Sequence, residues 1–422
     1  MAATTFPFRV VEHVTPCQHI REYPRATSTT QEETLHLSVK QYIPLDNPSP
    51  QPGDVTIIGA HANGFPKELY EPLWEELLAR SKSNGFRIRA IWIADAAHQG
   101  NSSVLNEHAM GNDPSWFDHP RDLLHLINLK REEMPRPIVG IGHSMGGGHL
   151  VALSTIHPRL FTTIILMDPA IQNLKSYISD HTFHTKGTNI PTTTRASTYR
   201  RDLWAFALRR RRDPPQKQIL PILGPTRLRP LDKRPVTLTT TLHQEVFTFS
   251  RPKYSIANLD RETQRLTHPD ISLDVPNSHL FYRPESPRMF TFLRYLRPSV
   301  FYIFGEKSDM SKPEFCQEKL ETTGVGVGGS GGAKEGRVGA YTLKKVGHLI
   351  PMEAVKDSAE LSATWLGKEL ERWRREEEIL WKQWEGKSKV ERMTIDDEWK
   401  KHIGPPPLRN GNNKTEKRAP KL

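Results

Sequence analysis

The stretch Ile138-Val139-Gly140-Ile141-Gly142-His143-Ser144-Met145-Gly146-Gly147-Gly148-His149 decides the reading of this chain. Ile138 to Ile141 is rich in β-branched residues and reads as a short strand. Gly142-x-Ser144-x-Gly146 reads as a sharp turn, and a helix is expected to open at Ser144 and run through Leu150-Val151-Ala152-Leu153. A serine on such a strained turn projects its hydroxyl above the sheet, and bulk two positions to either side would collide with neighbouring backbone. Because the turn opens a helix, the Met145 amide and the positive end of the helix dipole face any oxyanion formed there.

Strands and helices alternate on both sides of this stretch. Phe8 to Val14 and Leu35 to Tyr42 read as an antiparallel opening pair, and a proline-rich linker leads to the buried-strand run Val55-Thr56-Ile57-Ile58-Gly59-Ala60. Tyr70, Leu73, Leu77 and Leu78 have helical spacing, Ile88 to Ile93 is a further strand, and the loop His98-Gln99-Gly100-Asn101-Ser102 follows Asp95. Trp116 to Ile127 marks another helix, and Phe161 to Met167 a strand ending in Asp168-Pro169. This order implies an α/β fold: a mostly parallel sheet covered by helices on both faces, with the functional site at the carboxyl ends of the strands.

The alternation breaks from Ile171 to about Arg297, a Pro-, Arg- and Thr-rich segment with possible helices at Arg200 to Arg211 and around His243 to Phe249 or Pro287 to Leu296. The expected organisation is a core over residues 1–170, an inserted cap over 171–297 and a second core part over 298–372. A C-terminal helical extension over 373–403 and a polar tail over 404–422 complete it. In the second core part Val300 to Gly305 and Ala340 to Leu343 are strands, and the glycine-rich run Gly324 to Gly332 between them reads as a flexible connector. Leu361, Trp365, Leu370, Trp373, Leu380, Trp381 and Trp384 place one apolar stripe on a long helix from Asp357 to about Lys400.

Composition narrows the function classes. The 422 residues carry a net charge of +11, from 59 basic and 48 acidic side chains. Much of the excess sits in Arg200-Arg201, in Arg209-Arg210-Arg211-Arg212 and in the tail, with no nucleic-acid-binding motif beside it, so a solvated basic face is expected and nucleic acid is not. Cys17 and Cys316 are the only cysteines, and the 18 histidines are scattered without an H-E-x-x-H pattern. A disulfide framework and a metal site are not expected, and no charged-then-apolar leader or membrane-spanning run is present.

Serine needs a base to take its proton and an acid to orient that base. His348, in Gly347-His348-Leu349-Ile350-Pro351-Met352-Glu353 after the last strand, is the base expected downstream of a nucleophile elbow. Two carboxylates satisfy the chain order serine, acid, histidine: Asp309, beyond the resumed strand in Gly305-Glu306-Lys307-Ser308-Asp309, and Asp168, at the end of the strand after the elbow helix. The second oxyanion donor beside Met145 is expected from His61-Ala62-Asn63-Gly64, with the Asn63 amide ahead of Gly64.

These residues resemble the α/β-hydrolase superfamily. His61 to Glu68, Asn112 to His119, Gly142 to Gly147 and Val346 to Glu353 are similar, more narrowly, to fungal peroxisomal serine hydrolases, a group that includes the yeast peroxisomal lipase and hydrolases of host-selective toxin biosynthesis. The resemblance implies the roles assigned above, no metal and no organic cofactor. In many superfamily members the acid stands three residues after the strand-end glycine, where this chain has Ser308, and the segment Arg209 to Arg234 is unusually basic and proline-rich for a helical lid. The last residues, Pro420-Lys421-Leu422, keep the Lys and Leu of a peroxisomal address read by an import receptor, so a peroxisomal matrix location is expected, otherwise a cytoplasmic one. The expected reaction is hydrolysis of a carboxylic ester, esterase- or lipase-like, through an acyl-enzyme on Ser144. Acyl-CoA thioester hydrolysis and a non-catalytic interaction protein on the same fold are the alternatives.

Overall fold

A computed structural model describes residues 6–179, 192–200, 203–204, 236–237, 239–253, 258–271 and 280–406. The central sheet is built from β1 (Phe8–Pro16), β2 (His36–Pro44), β3 (Val55–Ala60), β4 (Ile88–Ala94), β5 (Ile138–His143), β6 (Thr163–Met167), β7 (Ser299–Gly305) and β8 (Val338–Leu343). Its order is β1-β2-β4-β3-β5-β6-β7-β8. The opening pair β1 and β2 is antiparallel, β2 runs antiparallel to β4, and every later pairing is parallel.

The interior strands are apolar at almost every position because both sheet faces are covered. Successive residues point to opposite faces: Ile58 and Trp92 join Leu123 and Leu126 of α3 (Asp118–Leu129) and Leu150 and Leu153 of α4 (Met145–Ile156). Ile57 and Ile91 instead meet Leu73, Trp74 and Leu77 of α1 (Glu71–Ser81). A short α2 (Gly100–Leu105) follows β4.

The described part of the insertion between β6 and β7 includes α5 (Leu242–Phe249), opened by a Thr241–Gln244 capping box, and α6 (Glu285–Phe292) closes the segment. It is fastened to the loop Asn112 to His119. Arg251, buried, forks onto the Asp113 carboxylate at 2.9 and 2.7 Å and reaches Asp270 at 2.8 Å. The Trp116 indole N–H donates to the Thr248 carbonyl at 2.9 Å, and Arg283 donates to the Pro114 carbonyl at 3.2 Å.

Three local expectations need correction. Leu203–Trp204 is a two-residue strand paired with Val236–Thr237 rather than part of a helix; the whole of Arg209 to Arg234 lies outside the described residues, as does Pro420-Lys421-Leu422. The glycine-rich run is a bound loop rather than a free connector: the amides of Gly324, Gly326 and Ser330 donate to the carbonyls of Leu293, Arg294 and Leu296 at 2.7–2.9 Å. After α7 (Pro313–Thr322), the C-terminal helix α8 spans Val355–Glu385 and then stops. A Ser388–Glu391 capping box starts a separate short helix, and Asp396 caps a third. The chain divides into two compact units, Met1–Glu371 and Arg372–Leu422.

Candidate active site

Ser144 stands between the last residue of β5 and the first of α4 with φ 53° and ψ −117°, a conformation that costs a non-glycine residue about 1–3 kcal/mol. Its neighbours hold it there: the Ser144 amide donates to the Met167 carbonyl at 2.9 Å, and the Ala170 amide donates to the Ser144 carbonyl at 3.0 Å. Glycine is required on both flanks. A Cβ at position 142 would lie 2.6 Å from the Gly146 carbonyl, and one at 146 would lie 2.1 Å from the Ala60 carbonyl.

The strand-end loops bring Ser144, His348 and Asp168 together. His348 Nε2 is 2.9 Å from Ser144 Oγ, and His348 Nδ1 is 2.5 Å from Asp168 Oδ2. Asp168 is fully buried and, like Ser144, has a positive φ, of 44°. Its carboxylate also accepts from the hydroxyls of Ser308 and Ser311. Burial alone would raise its pKa, but the His348 hydrogen bond and charge together with the two hydroxyls outweigh that and hold it below the usual aspartate value.

Asp309 is not brought to this cluster. β7 ends at Gly305, the chain turns inward at Ser308, whose hydroxyl reaches Asp168, and the next residue opens a one-turn 3₁₀ helix, Asp309–Ser311, with its side chain exposed. Of the two carboxylates, the one in contact with His348 is Asp168.

His143 adds a link that the motif alone does not display. Tyr70 Oη accepts the Ala62 N–H at 2.8 Å and donates to His143 Nδ1 at 3.0 Å. His143 Nε2 then donates to the His348 carbonyl at 2.8 Å, which fixes the neutral ring as the Nε2–H tautomer. Burial first, and the neighbouring His348 second, push the His143 pKa down to about 3. One neutral imidazole thereby ties the loop after β3 to the loop after β8.

Among the described residues the Met145 and Asn63 amides donate to no acceptor, whereas the Gly64 amide donates to Gln99 Oε1 at 2.8 Å. The end of β3, from which the loop carrying Asn63 leaves, lies against the start of α4: a Cβ at position 146 would collide with the carbonyls of Ala60 and His61. The Met145 and Asn63 amides are therefore free as donors, that of Met145 on the residue that follows Ser144. Also among the described residues, no group of three or more His, Cys, Asp and Glu side chains is placed to hold a metal ion.

A model of the alpha/beta hydrolase family matches residues 57–361. The chain belongs to that family. Within it, the type I acyl-CoA thioesterase mpaH′ of Penicillium brevicompactum is 38% identical over 436 residues, covering 96% of this chain and 97% of its own. The abhydrolase domain-containing protein AFT2-1 of Alternaria alternata is 28% identical over 56% of this chain and 85% of its own. The solved structure of the Saccharomyces cerevisiae peroxisomal alpha-beta-hydrolase Lpx1 shares the fold, with a TM-score of 0.62 at 16% identity over 87% of this chain and 90% of its own.

Sequence reasoning passed over Ser311, Tyr70 and Gln99. Tyr70 reads as one more apolar position of a helix stripe, although it ends a 3₁₀ turn and its hydroxyl is buried against two loops. Ser308 is visible only as a missing acid.

Proposed function

We propose that this chain hydrolyses acyl-CoA thioesters through an acyl-enzyme on Ser144. The observation that carries the reading is the near full-length similarity to a named acyl-CoA thioesterase. It favours the thioester over the carboxylic ester that the motifs alone put first. No helix among the described residues is long and apolar enough to cross a membrane.

In this reading His348 Nε2 removes the Ser144 hydroxyl proton as Oγ adds to the thioester carbonyl. Asp168 orients the imidazole and stabilises the imidazolium. The tetrahedral oxyanion is held by the Met145 and Asn63 amides. Collapse breaks the C–S bond, and His348 returns the proton to the CoA thiolate. Water, deprotonated by the same imidazole, then adds to the acyl-enzyme and releases the free acid. One water is consumed for each CoA and acid formed.

The insertion over residues 171–297 acts as a cap that shapes the acyl site, consistent with α5 lying beside the Asn63 loop, where Asn63 Nδ2 donates to the Glu245 carbonyl at 3.1 Å. We further propose import into peroxisomes through Pro420-Lys421-Leu422, supported by the name of the relative Lpx1. A fluorescent fusion that still enters peroxisomes after those three residues are deleted rules this out.

CoA release across an acyl-chain series, set beside p-nitrophenyl esters of matched length, tests the main reading. The preferred acyl-CoA should show the higher kcat/KM. An ester preferred to every acyl-CoA overturns the thioester assignment. Ser144→Ala should lower kcat by about 10⁶-fold and abolish labelling by a fluorophosphonate. Labelling that persists in that variant overturns the nucleophile assignment.

A further inference from the structure

The loop after β4 takes no part in the reaction as described, yet it grips the loop after β3 at three places. At the near end the Ala96 amide donates to His61 Nε2 at 2.9 Å. At the far end Lys67, buried, pairs with the fully buried Asp95 at 2.6 Å, and the Lys67 amide donates to the same carboxylate at 2.9 Å. Gln99 sits between these anchors and is 1% exposed.

The Gln99 carboxamide spans two consecutive residues of the neighbouring loop. Oε1 accepts the Gly64 amide at 2.8 Å, and Nε2 donates to Asn63 Oδ1 at 2.5 Å. Asn63 uses its own Nδ2 on the Glu245 carbonyl, so its side chain is tied on both sides. Gly64 has φ +77°, which turns its peptide away from the direction an extended residue would give it. Of the two successive amides, that of Gly64 is already engaged and that of Asn63 is not.

We propose that Gln99 is a positioning residue that selects the Asn63 amide as an oxyanion donor, by occupying the Gly64 amide and clasping the Asn63 side chain. The inference rests on the reading of Met145 and Asn63 as the oxyanion site. Without the clasp, the half-buried Gly64 donor and the buried Asn63 acceptor lose their partners unless the loop turns to satisfy them. A turned loop carries the Asn63 amide away from Ser144. An oxyanion donor acts in the transition state and little in the ground state, so the loss falls on kcat.

Gln99→Met keeps the length of the side chain and removes both hydrogen bonds. It should lower kcat by about 10–100-fold, less than outright removal of an oxyanion donor, with KM nearly unchanged. Affinity for an acyl trifluoromethyl ketone, which forms an oxyanion on Ser144, should fall by the same factor as kcat/KM, while the S-alkyl-CoA thioether of the same chain should bind as it does to the wild type. Gln99→Glu keeps the acceptor for Gly64 but, once ionised, cannot donate to Asn63. Its deficit relative to the wild type should narrow as pH falls and the carboxyl regains a proton.

Unchanged kcat in Gln99→Met, or equal losses for the thioether and the ketone, overturns the proposal. If that variant does not fold, the Gln99→Glu profile decides, and a deficit independent of pH overturns it. Should the wild type cleave esters rather than thioesters, the same series run on a p-nitrophenyl ester and the ketone still tests Gln99, so the two readings fail separately.

Discussion

On the acid side of Ser144, the side chains that hold Asp168 and His348 by hydrogen bonds come from the central sheet's strand ends and the loops that leave them: Ser308 and Ser311 after β7, His143 at the end of β5. On the oxyanion side, the loop after β3 is held by the loop after β4 and also by α5, through the Glu245 carbonyl. The acid side therefore belongs to the frame of the fold. The loop after β3, which carries the proposed oxyanion donor Asn63, is shared with the insertion, and in that proposal a change in the insertion reaches the chemistry through it.

The largest expected effect separates the two carboxylates. Asp168→Asn should lower kcat by about 10⁴-fold, because the wrong tautomer of His348 then faces Ser144. Asp309→Asn, on an exposed turn, should stay within about twofold. Steady-state kinetics on one acyl-CoA measures both, and the reverse ranking would dissolve the acid side as drawn.

Acid stability should expose the oxyanion side next. His61, His98, His119 and His149 cluster there, and burial lowers the pKa of each, to about 3 for His98. With folded values below the unfolded 6.5, the unfolded chain binds more protons as pH falls. Stability should then drop from about pH 6.5 downward, by up to about 1.4 kcal/mol per pH unit for each histidine. Urea midpoints at pH 7.5 and 5.5 measure the slope, and His149→Leu, which removes a ring without hydrogen-bond partners, should flatten it.

A smaller effect tests the clasp on Asp168. Ser308→Ala or Ser311→Ala should each cost about tenfold in kcat, the scale of one hydrogen bond to a charged group. The Asp168 pKa should rise in both. The native carboxylate stabilises the fold above the unfolded value of about 4 and loses that contribution as pH falls through its lower folded value, so the variants should begin to lose it at higher pH. Melting temperatures between pH 5 and 3 show the difference.

The smallest change probes the link to the insertion. Gln99 Nε2 is 3.4 Å from Thr248 Oγ1 on α5, a marginal contact. Thr248→Val should alter kcat/KM by only a few fold, at most the worth of a weak hydrogen bond of about 0.5–1 kcal/mol. The rate of fluorophosphonate labelling in Asp168→Asn should respond to it no more than in the wild type, since the two sides do not share it.

Much of the frame was legible. The run Val55 to Ala60 is β3 to the residue, because a strand buried on both faces leaves little room for polar positions. The elbow was legible because two glycines and one serine suffice to describe its sterics. The acid was not, because both aspartates follow strands and the choice lies in which way one turn faces: Ser308 inward, Asp309 out. The C-terminal stripe misled for a related reason. The apolar spacing runs on past Glu385, where α8 ends and two separately capped helices follow, and helical periodicity alone does not mark such a break. Gln99 was invisible because its partners are two residues of another loop, 35 and 36 positions away.

The hydrogen bond between His348 and Ser144 spans 204 positions of sequence. During synthesis the nucleophile leaves the ribosome long before its base, and β8 must pair with β7 before His348 has a place to stand. A truncated or half-folded chain displays an elbow without a base. In refolding experiments, turnover should return only once β8 has paired with β7.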